Sequence, residues 1–321
     1  MLLAIAAVIV GVALLVWGAD RFVDGAASVA RNLRVPPLVI GLTIVSLGTS
    51  LPEMIVAAMA ALDGNRNLGI GNVIGSNIAN IALVLGITAL IIPLAVKSMT
   101  LRREMPVLFM ITFLAFALMS DGELNFMDGI ILAISLILLL IWITSIGLKD
   151  RHDPLVEEFT ESLPEAMTMG QSVMWFIVGL VLLIISSRMV VWGAVEIAQY
   201  FGVSDLIIGL TIVAIGTSLP ELVASIAGAL KDEADLAIGN VIGSNMFNLL
   251  AVLAMPALIH PGAFAQDALM RDFPIMLGFT IALFVVSFGL RKEGGVINRF
   301  EGGLLVSGFA GYLYLLYLQS V

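Results

Sequence analysis

The sequence predicts an all-α integral membrane protein of ten transmembrane helices, arranged as two five-helix repeats of inverted topology. Three observations carry that expectation. The 321 residues are 60% hydrophobic and 12% charged, with a mean hydropathy of +1.10, which is the composition of a membrane-embedded chain. Apolar stretches close to the roughly 20 residues that cross a bilayer as helix recur from Leu2 to Leu318, and they lack the alternation of a membrane barrel. Polar motifs inside those stretches repeat at a gapless offset of 168 residues.

The first segment, centred near Val10, lies in "MLLAIAAVIVGVALLVWGADRF". It has no basic residue before its apolar run and no clear small-residue cleavage site, so it reads as a retained membrane helix. Four more segments centre near Val45, Leu83, Phe113 and Leu138. The one long polar interruption, Lys149 to Ser172, contains the acidic run "HDPLVEEFTESLPEA" and reads as a solvated linker. A second set of five centres near Leu182, Val213, Leu250, Ala282 and Val306. The expected organisation is a first repeat over 1–148, a linker over 149–172 and a second repeat over 173–321.

Leu38 to Glu53 matches Leu206 to Glu221, and "GNVIGSNIAN" from Gly71 matches "GNVIGSNMFN" from Gly239. Arg103, Glu104 and Pro106 match Arg271, Asp272 and Pro274. Chance similarity between apolar helices does not keep Gly, Thr, Ser, Pro, Glu and Asn in register, so the halves are copies of one unit. An odd number of spans per unit makes the second copy enter the membrane from the opposite side. With ten spans, one face collects Arg21, Arg31, Arg34, Lys97, Arg102, Arg103, Lys149, Arg151, Lys231, Arg291, Lys292 and Arg299. The other face collects Arg66, Arg188 and Arg271. The positive-inside rule then makes the central loop cytoplasmic and places both termini outside.

The chemistry is concentrated in "LTIVSLGTSLPEMIVA", Leu42 to Ala57, and "LTIVAIGTSLPELVA", Leu210 to Ala224. A glutamate near mid-bilayer costs on the order of 3 kcal/mol, which makes Glu53 and Glu221 functional-site candidates. Pro52 and Pro220 lack the N–H that would bond the carbonyl four residues back, so the carbonyls of Gly48 and Gly216 are expected to be freed. Thr49 and Ser50 precede Glu53 by four and three residues, and all three share a face if the turn stays helical. Ser76 and Asn80 stand in the same relation one segment later. Carboxylate, hydroxyl, amide oxygen and backbone carbonyl are the ligands of hard cations, above all calcium, which takes about six to eight oxygens. One calcium ion or two sodium ions would neutralise two glutamates, and three sodium ions would leave one positive charge.

Other chemistries fit less well. The chain has no cysteine, and its net charge of −9 gives no basic footprint for nucleic acid. An intramembrane hydrolase using Ser50 or Ser218 would need a paired base, and neither motif holds one. His152 falls in the linker and His260 beside Pro261 at a segment end. Trp17, Trp142, Trp175 and Trp192 are explained by interfacial anchoring or packing. A transporter of an organic metabolite would not need the paired glutamates.

With these paired "GTSLPE" and "GNVIGSN" motifs the whole chain resembles the sodium/calcium exchanger family of cation/calcium antiporters, in particular its short prokaryotic type. The resemblance implies that the second, third, seventh and eighth helices form a central diamond around the ions, while long first and sixth helices slide across that core. It implies Glu53 and Glu221 as shared calcium carboxylates, with Thr49 and Thr217 beside them. Ser50, Ser218, Ser76, Ser244 and the backbone carbonyls of Ser46 and Ala214 are implied at flanking sodium sites, and Asn80 and Asn248 at the middle one. Some members carry aspartate where this chain has Asn248. The activity so implied is secondary antiport of Ca2+ against several Na+ with net charge movement. Proton/calcium antiport through the same glutamates is the alternative. Ca2+ and Na+ are then the substrates and the lipid bilayer the surroundings, with no cofactor, nucleic acid or obligatory protein partner. Glu53 and Glu221 are ion ligands in this reading, not enzymatic groups.

Overall fold

The computed structural model describes residues 1–33, 35, 37–96, 101–149, 167–201, 214–288 and 295–320. These are nearly all helical: α1 (Leu2–Leu33), a lead-in segment Gly41–Thr49, α2 (Leu51–Leu62), α3 (Arg66–Ile91), α4 (Leu101–Met119) and α5 (Phe126–Lys149). Then follow α6 (Met169–Tyr200), a short Ala214–Thr217 segment, α7 (Leu219–Leu230), α8 (Ala234–Ile259), α9 (Ala268–Ser287) and α10 (Arg299–Ser320).

Seven of the described helices are long and apolar enough to cross a membrane, or eight if Gly41–Thr49 and α2 form one bent span. The chain is thus multi-pass, but the count of ten is not reached. Two reasons are physical. α4 opens on Arg102, Arg103 and Glu104, and α7 has only 12 residues, about 18 Å of helix against a hydrocarbon core of about 30 Å. Helix α6 begins at Met169, inside the expected linker. The rest of that linker from residue 150 to 166, His152 included, lies outside the described residues, as do Arg34, Lys97, Arg151, Arg291 and Lys292.

The repeat is visible in the element boundaries. Ser46–Thr49 and Ala214–Thr217, α2 and α7, and Arg66–Ala79 and Ala234–Phe247 start and stop at equivalent positions. The α2–α3 and α7–α8 turns each need a left-handed residue, Gly64 at φ 77° and its equivalent Asp232 at φ 61°; Asp is among the few side chains that tolerate this region. Two short antiparallel pairs stitch the halves reciprocally. Strand β1 (Leu94–Val96), after α3, pairs with β4 (Gly295–Ile297), before α10. Strand β3 (Gly262–Ala263), after α8, pairs with β2 (Glu123–Leu124), before α5.

The motif helices form the interior. The spanning window of α3 is 72% buried and that of α8 83%, against 17–33% for the other long helices. Around this core runs an antiparallel pair of two 32-residue helices, α1 and α6, each about 48 Å long and therefore longer than the apolar slab. Their approach depends on small residues: a Cβ on Gly11 would meet Val190 Cγ2 at 2.8 Å, and one on Gly193 would meet Ala4 O at 2.6 Å. Phe22 stacks on Phe176 at 4.9 Å, and Trp17 meets Trp175 edge-on at 6.3 Å.

Candidate cation site

Both "GTSLPE" stretches break their helix at the serine. Ser50 leaves helical geometry (φ −81°, ψ 2°), as does Ser218 (φ −87°, ψ 6°). Pro52 and Pro220 then fall in the first turn of the following helix, where a missing N–H costs nothing. In the first repeat the two pieces meet at 48°. Glu53 and Glu221 sit in the first turns of α2 and α7, which favours a negative charge. The bend corrects one expectation: a backbone N–H at the Ser50 cap is directed at the Gly48 carbonyl, which is therefore not freed.

The asparagines open a second irregularity. Asn80 begins a π-helical stretch, Asn80–Leu85, and Asn248 another, Asn248–Val252. Such widened turns are frequent at functional sites. The Asn80 stretch packs on α7 and the Asn248 stretch on α2, so the asparagine-led stretch of each repeat lies beside the other repeat's glutamate helix.

Glu53, Glu221, Ser46, Thr49, Ser50, Ser244, Asn80 and Asn248 are fully buried, with Ser218, Ser76 and Thr217 nearly so. The partners cross between repeats. Ser50 Oγ donates to Glu221 Oε1 at 3.4 Å, and Thr49 also lies against Glu221. Thr217 lies against Glu53, although no geometrically sound hydrogen bond reaches either Glu53 oxygen. The shared face expected for Thr49, Ser50 and Glu53 is thus replaced by hydroxyls aimed at the opposite glutamate, because the chain bends between them. Thr49 Oγ1 also donates to Asn240 Oδ1 at 3.1 Å and meets Ser244 Oγ at 3.5 Å. The Ser46 hydroxyl has one proton to give and lies among the carbonyls of Gly41, Gly239 and Asn240, while the Ser46 carbonyl accepts from Ser50 N at 3.0 Å and lies 3.4 Å from Thr49 Oγ1. Ala214 opens the segment that ends at Thr217.

Six oxygens of this set are buried without a partner: both of Glu53, Oε2 of Glu221, Oγ of Ser218, and Oδ1 of Asn80 and of Asn248. Each neutral one costs about 1–3 kcal/mol if nothing compensates it, and a carboxylate costs more. Hydroxyls line the two glutamates: Ser50 and Thr49 lie against Glu221, and Thr217 against Glu53. Among the described residues no three of His, Cys, Asp and Glu come together. Two close carboxylates, hydroxyls and amide oxygens form an all-oxygen set that a hard cation would satisfy.

Sequence reasoning missed the supporting asparagines. Asn72 Nδ2 donates to the Glu53 carbonyl at 3.2 Å, and its equivalent Asn240 donates to the Glu221 carbonyl at 3.5 Å. Their paired occurrence in "GNVIGSN" was the available signal, masked by the small-residue pattern around it. The His260 carbonyl accepts from Arg66 Nε at 2.9 Å, and the His260 backbone N–H donates to the Pro256 carbonyl at 3.0 Å.

The model of the family described as "Sodium/calcium exchanger protein" matches residues 3–145 and 171–318. The chain belongs to the sodium/calcium exchanger family. That family is one of transporters rather than enzymes. A relative described as a putative antiporter, CaxA of Alkalimonas amylolytica, is 48% identical over 99% of each chain. The inner membrane protein YrbG of Escherichia coli is 42% identical over 100% of this chain and 98% of its own. The fold matches a solved structure of the sodium-calcium exchanger NCX_Mj, soaked with Na+ and Ca2+, with a TM-score of 0.82 and 30% identity over 97% of both chains.

Proposed function

We propose that this exchanger-family protein is a secondary antiporter that exchanges Ca2+ for several Na+, with net charge movement. Its site comprises Glu53, Glu221, Thr49, Thr217, Ser50, Ser218, Ser76, Ser244, Asn80, Asn248 and the carbonyls of Ser46 and Ala214. The observation that carries this reading is the group of unpaired, buried oxygens around two adjacent glutamates at broken helices. Ions competing for the same oxygens couple the two fluxes, and sliding of α1 and α6 across the core around a fixed midplane site gives alternating access. The full span count is ten in two inverted repeats, with both termini outside and the central loop cytoplasmic.

A second reading has the two glutamates carry protons instead of sodium, and their mutual proximity favours it. One assay separates the two. In proteoliposomes, a sodium gradient at equal pH drives Ca2+ uptake under the first reading. A pH gradient without sodium drives it under the second. Ca2+ uptake under neither gradient, or uptake that survives both E53Q and E221Q, would defeat the site assignment.

A further inference from the structure

Three amides form a chain that crosses between the repeats and ends at the cation site. The Asn77 main-chain carbonyl, which can only accept, receives Asn245 Nδ2 at 3.4 Å. The Asn245 amide is thereby oriented, and its Oδ1 turns to Asn80. An oxygen can only accept, so Asn80 must present its NH2 there, and Asn80 Nδ2 donates to Asn245 Oδ1 at 3.2 Å. The other end of that amide, Asn80 Oδ1, is left buried and unpaired. All three asparagines are at most 1% exposed.

The equivalent chain on the other side is not made. Asn77, the counterpart of Asn245, gives its Nδ2 to the weak acceptor Met276 Sδ at 3.5 Å, and its Oδ1 is unpaired. Asn248, the counterpart of Asn80, has neither amide atom paired.

We propose that Asn245 is a positioning residue for the cation site: it holds the Asn80 amide with its oxygen toward the ion and its NH2 away. The proposal rests on the cation-site reading above. Without Asn245 no hydrogen bond among the described residues distinguishes the two ends of the Asn80 amide, and the flipped form would point a donor at a cation. An aspartate at position 80 has an oxygen at either end and would need no such orientation.

The test is Na+-driven Ca2+ uptake in proteoliposomes, measured as half-saturating Ca2+, with the Ca2+-dependent rise in Tm of the purified protein as a readout independent of turnover. Asn245→Ala should raise half-saturating Ca2+ about tenfold, the usual scale for losing a group that orients a metal ligand. Asn245→Ser, a smaller packing change, should do the same. In an Asn80→Asp background, Asn245→Ala should add less than about twofold to either readout. A penalty of equal size in both backgrounds would overturn the proposal and mark Asn245 as a packing residue, as would unaltered Ca2+ affinity in both folded variants. Failure of E53Q and E221Q to impair uptake would instead sink the site itself.

Discussion

The turn that closes the α7–α8 hairpin is tied to α1, whereas among the described residues the turn that closes the α2–α3 hairpin has no matching tie to α6. Lys231 Nζ reaches Asp20 Oδ1 at 2.6 Å, Asp24 Oδ1 at 2.7 Å and the Asp20 carbonyl at 2.9 Å, and Arg31 pairs with Glu233 at 3.2 Å. At the equivalent positions the charges are reversed: Asp63 stands for Lys231 and Arg188 for Asp20. Both are exposed, and neither has an ion pair among the described residues. The same inequality runs into the core, where Asn240 is buried against Thr49 and Ser225 while Asn72 is half-buried. Two hairpins built on the same motifs thus occupy unlike surroundings.

The largest effect tests where the halves should still agree. E53Q and E221Q should each bring Ca2+ exchange below detection while leaving a folded, Tm-measurable protein; a variant of one half that keeps wild-type flux would show that the carboxylates are not equivalent. Cross-linking tests where the halves differ, and the absence of native cysteine makes it clean. Asp20→Cys with Lys231→Cys should be joined by a short bifunctional thiol reagent, and exchange should stop. Asp63→Cys with Arg188→Cys should be joined in clearly lower yield under the same conditions, and equal yields would erase the asymmetry.

Smaller effects refine the tie itself. Lys231→Ala should lower unfolding stability by about 1 kcal/mol, since both carboxylate partners are partly exposed and screened, whereas Asp63→Ala should leave Tm unchanged. The smallest effect is a pH dependence at Glu233, outside the membrane spans. Burial raises its pKa above the usual carboxylate value, and Arg31 only partly offsets this. The folded state then binds more protons than the unfolded one once pH exceeds that usual value, so stability falls as pH rises from there through the raised value. Glu233→Gln should flatten that part of a Tm-against-pH curve. An unchanged slope would assign it to another group.

Much of the molecule was legible from residues alone. Proline two residues after a serine, twice in register, pointed to an interrupted helical hydrogen-bond ladder in both motifs, because proline has no N–H for the carbonyl four residues back. The buried glutamates stood out because an ionisable group in an apolar segment is too costly to be incidental. The exchanger family was readable from the joint occurrence of both motifs. The span count was less so, since α7 is short and α4 opens on charges.

By itself the sequence determined the membrane class, the repeated motifs and the oxygen-bearing side chains within them, because these follow from local composition and spacing. It could not say which oxygens meet. Ser50 turned out to face Glu221 rather than Glu53, and Asn80 is held by Asn245; these contacts join residues more than 160 positions apart and depend on how the bent helices cross. Nor could two matching motifs reveal that one hairpin is tied and the other is not. Only the tertiary structure decided this, because copies of one unit become unequal through the charges and helices that long-range packing brings against each of them.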